Sequence, residues 1–384
     1  MDFKGALKGA RLEYRNFAGK GFDEKYVVIE SDDWGSIRQP SRAVYDAQIK
    51  RGGHPERDPF THYDSLEKDE DLEPLFEVLS RHYDAHGRPA VITANYAVAN
   101  PDFDKIENCG FAQYHYESVD ETLRGDPGCS RMRALWKQGM DGGVWAPQLH
   151  CREHVQIEKW MESLRRGDEE TTWAFSNRMI STADMIAAGN PYAYMDAFNH
   201  SSAEEARDQI ERIVSDATAI FTRLFGFASK TFVAPCYVWG EALESALRKS
   251  GIDALQGGWY QWVPLNGSLR KKVHYNGEIQ NGRLYMVRNC LFEHSLFGGE
   301  DAVASCLNQM ESAFRWRRPA VISSHRVNYM GRIEEANRAR GLRLLDELLA
   351  KMRRRWPDIV FISSSGLADL YRENDGVHFE AGTR

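Results

Sequence analysis

Tyr26-Val27-Val28-Ile29-Glu30-Ser31-Asp32-Asp33-Trp34-Gly35 carries four consecutive apolar residues followed by a polar cluster. A short apolar run bounded by a turn signal reads as a buried strand. Two later segments repeat the pattern. Val144-Trp145-Ala146 leads into His150-Cys151-Arg152-Glu153-His154, and Pro319-Ala320-Val321-Ile322 leads into Ser323-Ser324-His325-Arg326. In α/β folds the C-terminal edge of the strands is where side chains converge on one site.

Further strands are expected near 25–31, 89–95, 110–116, 144–149, 230–236, 252–257, 283–289, 319–324 and 358–362. Helical stripes lie between them. Leu72, Leu75, Phe76 and Leu79 mark a helix over 71–82. Ile210, Ile213, Val214, Ala217, Ile220, Phe221 and Leu224 mark another over 204–225. Leu342, Leu345, Leu348 and Leu349 mark a third over 342–352. Residues 241–249 form a short helix stopped by Ser250-Gly251. Repeated strand–helix units argue for a parallel α/β architecture. A barrel is favoured over an open sheet, because closure sets the first and last strands side by side and brings Asp33 near His325. The division expected is an extension over 1–24, a barrel domain over 25–370 with insertions near 36–70 and 155–205, and a tail over 371–384.

The chain has 384 residues, 42% hydrophobic and 27% charged, with net charge -7. Those values fit a globular protein with ample core and give no basic surface for nucleic acid. No apolar stretch approaches the roughly 20 residues of a membrane span. Residues 1–8 lack a secretory apolar core, so a cytoplasmic location is expected. The six cysteines are widely spaced without a C-x-x-C pair and read as free thiols. Metal-type residues dominate around Cys151 and Cys236, which favours pocket lining over a nucleophilic role.

His150 and His154 are four apart, a spacing that on a helical turn presents both rings to one ion. Two imidazoles and one carboxylate leave positions open for water and substrate. Of Asp32 and Asp33, one can bind the ion while the other acts as a base. His325 can serve as a general acid. The stretch Phe232-Val233-Ala234-Pro235-Cys236-Tyr237-Val238-Trp239 can offer aromatic faces to a sugar and a backbone N–H to an oxyanion. Trp34, Asn95, Tyr237, Trp239, Arg288, His294 and Arg326 are expected to reach substrate, with Trp259 and Trp262 on the same rim.

Ser31-Asp32-Asp33, His150-x-x-x-His154, the Pro235 segment and Ser324-His325 occur in the order seen in the polysaccharide deacetylase superfamily, which the chain resembles over about 25–365. The resemblance implies a distorted (β/α) barrel, seven-stranded, here with insertions. It implies Asp32 as base, His325 as acid, and Asp33, His150 and His154 as ligands of Zn2+ or another divalent transition metal. It also implies a carbohydrate substrate that loses an acyl group. The family's third motif usually starts with an Arg that orients the base. None stands there in this chain, so Arg288, Arg326 or Arg152 must replace it, or the base is oriented differently. Other readings of the same barrel are a glycoside hydrolase pairing Asp32 with Glu153 or Glu293, another amide or ester hydrolase, and a non-catalytic glycan-binding protein.

Overall fold

The apolar run at 26–29 is the middle of β1 (Lys25–Trp34), a ten-residue strand in a computed structural model that describes residues 13–200, 206–265, 267–297 and 301–374. Along the chain follow β2 (Ile92–Ala97), β3 (Trp145–Cys151), β4 (Thr231–Val233), β5 (Ala254–Gly257), β6 (Arg283–Val287), β7 (Cys290–Leu291), β8 (Ala320–His325) and β9 (Ile359–Phe361). The ladders β1–β2, β2–β3, β3–β4, β4–β5 and β5–β6 are all parallel. On its other side β1 pairs in parallel with β8, in a register that sets Asp32 opposite His325.

One piece of chain closes the barrel. β6 bonds to β5, and two residues later β7 bonds to β8. Between them the Arg288 amide donates to Gly257 at 2.8 Å, and the next amide, Asn289, donates to Val321 at 3.1 Å. Residues 283–291 are therefore one wall facing both ends of the sheet. With it, β1, β2, β3, β4, β5 and β8 make the seven walls of a distorted barrel. The seam between β3 and β4 is thin, a single registered pair, Leu149 with Phe232. β9 pairs with the first three residues of β1, on the side that β2 takes from Ile29 onward.

Alternation along β1 sorts its side chains. Val27 and Ile29 point outward into the main core beneath the helices. Val28 points inward, against Ala254, Met286 and Val321 at the barrel floor. Above it, Glu30 and Asp32 follow on the same inner face and share one partner, Arg288. The barrel thus has an apolar floor and a polar upper interior.

The expected helices form as α1 (Asp69–Ser80), α3 (Arg207–Phe225), α4 (Glu241–Lys249) and α6 (Glu335–Arg355). Their stripes are buried at Leu72, Leu75, Phe76 and Leu79, at Ile210, Ile213 and Val214, and at Leu345, Leu348 and Leu349. Residue 204, where the α3 stripe was expected to begin, lies outside the described residues. Helices that were not anticipated include α2 (Met132–Asp141), α5 (Ala302–Arg315), α7 (Ser364–Asn374) and Arg42–Lys50. The strand expected over 110–116 does not form. Gly110 and Phe111 both hold positive φ (63° and 61°), which breaks an extended run, and only Tyr116–Ser118 pairs, antiparallel, with Ala99–Pro101. An antiparallel hairpin, Tyr260–Leu265 with Ser268–Val273, also went unread. Among the described residues, no helix is long and apolar enough to cross a membrane.

Candidate metal centre

The site begins with a fault in β1. Asp33 takes φ 74°, and the register with β2 slips between Ser31 and Trp34. This is a bulge, and bulges re-aim side chains beside active sites. It lets adjacent Asp32 and Asp33 both line one cavity, where a regular strand would send them to opposite faces. The turn out of the strand needs Gly35, whose φ is 80° and where a Cβ would sit 2.2 Å from the Ala97 carbonyl oxygen.

Asp33 faces both histidines. Its Oδ1 lies 3.4 Å from His150 Nε2 and 3.2 Å from His154 Nε2, and the three ligand atoms lie within 4.8 Å of one another. The histidines reach this point without a helical turn. His150 is on β3, and His154 sits in the bend that follows.

The donor chemistry fits a cation. His150 Nδ1 lies 2.7 Å from the Val233 carbonyl oxygen and must donate to it, since a carbonyl only accepts. In the neutral ring Nε2 then presents a lone pair to a carboxylate oxygen that is also an acceptor. Two facing acceptors call for a positive group between them. His154 is buried, which pushes its imidazole down to about 4 against the opposing pull of Asp33, so the ring is neutral near pH 7. Its Nδ1 is buried and has no hydrogen-bond partner. Burial pushes the Asp33 carboxyl up, but the Arg38 charge and the contacts of His154 and His150 outweigh it and hold that group well below its usual range. Arg38 Nη2 donates to Asp33 Oδ2 at 3.2 Å and leaves Oδ1 to the histidines. Two nitrogens and one oxygen suit a divalent transition ion and leave coordination positions open.

Beside this trio stand a carboxyl and an imidazole, Asp32 and His325. Arg288 grips Asp32 with both ends of its guanidinium, Nη1 to Oδ2 at 2.6 Å and Nη2 to Oδ1 at 2.7 Å. Asn95 adds a bond to Oδ1 at 2.8 Å. Burial raises the Asp32 carboxyl, yet Arg288 wins and holds it at about 2. Arg288 also donates to Glu30 at 2.6 Å and to the Tyr237 hydroxyl at 2.9 Å. Arg288 reaches Asp32 from the wall that closes the barrel.

Opposite, His325 Nδ1 is 2.6 Å from Glu293 Oε1, and its Nε2 is 3.9 Å from Asp32 Oδ2. Burial pushes the His325 imidazolium down, but the Glu293 charge and hydrogen bond outweigh it and raise the group to about 9. One carboxyl is thus held ionised and one imidazole held protonated, facing each other across a gap. Environments that push two titratable groups apart in this way are the ones in which acid and base roles can be divided.

Asp32, Asp33, Arg38, His150, His154 and His325 line a cavity of about 320 Å³ at the C-terminal mouth of the barrel. Tyr192, Met195, Phe60, Leu296, Cys236 and Tyr237 complete its wall. Burial pushes the Cys236 thiol up, so no thiolate forms near neutral pH. Cys151, expected in the pocket, is buried in the main core instead.

Of the residues expected to reach substrate, Tyr237 does line the cavity. The others do not. Trp34 is fully buried, donates to Ser31 and packs edge-on against Trp145. Trp239 is buried and donates to Glu244. Neither Trp259 nor Trp262 reaches the cavity. Asn95 spends its amide N–H groups on Asp32 and Gln256. Arg288 is committed to Asp32 and Glu30. His294 is buried against the Asn328 carbonyl. Arg326 is fully buried in ion pairs with Asp64 and Glu67, which tie the 36–70 segment to the end of β8. Arg152 is paired with Glu153 and Asp216, out of the cavity. Sequence reasoning missed Arg38, Phe60, Met195 and Leu296, and left Glu293 without its bond to His325. The only signal for Arg38 was its place five residues after Asp33.

No family model matches the sequence, and no curated protein matches it. Solved structures do. A candidate polysaccharide deacetylase from Mycobacterium smegmatis is 11% identical, with 96% of each chain covered and a TM-score of 0.45. The Xyl-CE4 domain of a multidomain xylanase from the hindgut metagenome of Trinervitermes trinervoides is 9% identical, with 93% of each chain covered and a TM-score of 0.40. A 4-alpha-glucanotransferase from Thermococcus litoralis is 10% identical, covering 91% of this chain and 40% of that one, with a TM-score of 0.44. At such identity and scores these neighbours do not decide the chemistry, and the functional reading rests on the site.

Proposed function

We propose that this protein is a metal-dependent hydrolase that removes an acyl group, N-acetyl in the leading reading, from a sugar or glycan precursor. The observation that carries it is the pairing of an Asp-His-His ligand trio with a separated acid and base at one barrel mouth. Asp33, His150 and His154 would hold the ion, zinc in the leading assignment. When bound, a divalent ion supplies Lewis acidity, polarising an acyl carbonyl and making a nearby water more acidic.

Asp32, kept ionised and aimed by Arg288 and Asn95, takes the proton of the attacking water. The water oxygen bonds to the acyl carbon, and the C–N bond breaks. His325 Nε2 gives its proton to the departing amine, while Glu293 stabilises the imidazolium beforehand. Cys236 and Tyr237 hold φ 55° and 56° in the cavity wall, and the Cys236 N–H is the donor proposed for the oxyanion. Phe60, Met195 and Leu296 provide an apolar lining for the acyl methyl. Tyr192 and Tyr237 offer rings to the sugar.

Glycoside hydrolysis needs a second carboxyl group across the scissile bond. Glu153 is locked to Arg152, and Glu293 to His325 and Asn328, so neither is free for that role. The test is acetate release from a panel of N-acetylated sugars with divalent metal supplied. Acetate without new reducing ends is the expected result. Reducing ends without acetate would overturn the reading.

A further inference from the structure

The hairpin of Tyr260–Leu265 with Ser268–Val273 takes no part in the cavity of the metal centre. It follows the C-terminal end of β5. Among the described residues, Ser268–Val273 pairs with its hairpin partner alone, so its outer edge is uncovered. From Ala254 to Gly277 the sequence has no acidic residue, yet it carries Arg270, Lys271 and Lys272 in a row, in a chain of net charge -7. The flanking carboxylates are spent elsewhere, Asp253 on Arg372 and Glu278 on His274. Among the described residues none of the three cations has an ion-pair partner. Lys271 Nζ stands 3.1 Å from the Tyr260 ring centre and 5.7 Å from that of Trp262, and Lys272 lies over Tyr285. The free end of the hairpin is apolar. Leu265 is 49% exposed, and Val263, Pro264 and Leu269 beside it are only half-buried.

Charge on an open strand edge blocks unwanted pairing, and that alone would account for the cations. It does not account for an apolar tip beyond them. Cations, then half-exposed Tyr260 and Trp262, then an apolar end is the order that suits the surface of a bilayer. Aromatic rings sit at headgroup level, basic groups meet the phosphates, and apolar side chains enter the acyl boundary. A second copy fits worse. Two-fold antiparallel pairing along Ser268–Val273 would set Arg270, Lys271 and Lys272 against their own copies. An acidic polypeptide would answer the cations and give no reason for the exposed Leu265.

We propose that this hairpin docks the protein on an anionic phospholipid bilayer, with Arg270 and Lys271 on the headgroups and Leu265 in the acyl boundary. The docking does not depend on the acyl-hydrolase reading.

The test is co-sedimentation of the full chain with vesicles of phosphatidylcholine alone and with vesicles containing about one-third phosphatidylglycerol, at about 0.1 M salt. Each basic residue at an anionic surface is worth about fivefold in affinity, so the anionic vesicles should bind at least about tenfold more tightly. Salt at about 0.5 M should weaken that binding. The double change Arg270→Glu with Lys271→Glu should remove the preference for anionic lipid. Leu265→Ser should weaken binding to anionic vesicles about fivefold or more while leaving the preference in place. Should the double variant not fold, Arg270→Gln, at an exposed position, reads the same charge with a smaller loss. No vesicle binding, equal binding to both lipids, or a preference unchanged in the charge variants would overturn the proposal. Binding to polyglutamate but not to vesicles would assign the face to an acidic polypeptide instead. A concentration-dependent dimer abolished by Leu265→Ser, without vesicle binding, would assign it to a second copy; either result overturns the lipid assignment.

Discussion

Replacing Glu293 by Gln removes a charge from His325 and keeps a hydrogen-bonding group in its place. His325 is raised from 6.5 to about 9, and burial acts against that rise, so the Glu293 carboxylate is its principal cause. At 1.36 kcal/mol per pKa unit, the difference is roughly 3 kcal/mol in favour of the imidazolium. Without the charge, the ring is expected to titrate near or below 6.5. At pH 7.5 the imidazolium would then fall from nearly all molecules to about a tenth. The assay is an NMR titration of the His325 ring in metal-free protein, with a pH profile of kcat/KM beside it. Wild-type protein should titrate near 9 and Glu293→Gln more than about two pH units lower, with the alkaline limb of activity moving the same way. Stability carries the same signature. A group raised on folding contributes fully below 6.5, and its contribution disappears as pH rises through about 9. Denaturant unfolding at the two extremes should differ by up to roughly 3 kcal/mol more in wild type than in the variant. A ring that still titrates near 9 in Glu293→Gln would refute the reasoning.

Arg288→Lys keeps a positive charge but loses the fork that holds both oxygens of Asp32. The Asp32 carboxyl should then rise from about 2, moving the acid limb of the rate profile upward, with kcat reduced by about tenfold to a hundredfold and KM little changed. An unchanged acid limb would show that Arg288 does not set the base. Arg326→Met leaves Asp64 and Glu67 buried without their cation and should cost about 3–5 kcal/mol in unfolding experiments. The KM of the folded fraction should stay the same; a large rise in KM would return Arg326 to substrate binding.

The walls of the barrel were legible because buried parallel strands read as continuous apolar runs, and β1, β3 and β8 all end in polar clusters. Closure was legible in outline, since Asp32 and His325 belong to the first and last walls. The double role of residues 283–291 was not, because nothing in Arg288-Asn289 says that the chain changes partners there. The convergence of Asp33, His150 and His154 followed from residue types in order, but the spacing of His150 and His154 suggested a helix where the chain runs as a strand and a bend. Two of the tryptophan expectations failed for one reason. Trp34 and Trp239 follow strand residues, where a single step decides between cavity and core, and both indoles turn toward a buried acceptor, Ser31 or Glu244. Arg288 and Arg326 look alike in sequence, each an arginine after a strand. Only packing separates the one that grips Asp32 from the one that anchors the 36–70 segment.

Asp33, His150 and His154 are proposed to form one ligand set. Calorimetric titration of chelator-treated protein with zinc and cobalt addresses it most directly, with Asp33→Ala and Asp32→Asn alongside wild type. One ion per chain is predicted for wild type and for Asp32→Asn, and none for Asp33→Ala, with all three proteins folded. Tight binding that survives in Asp33→Ala would contradict the assignment.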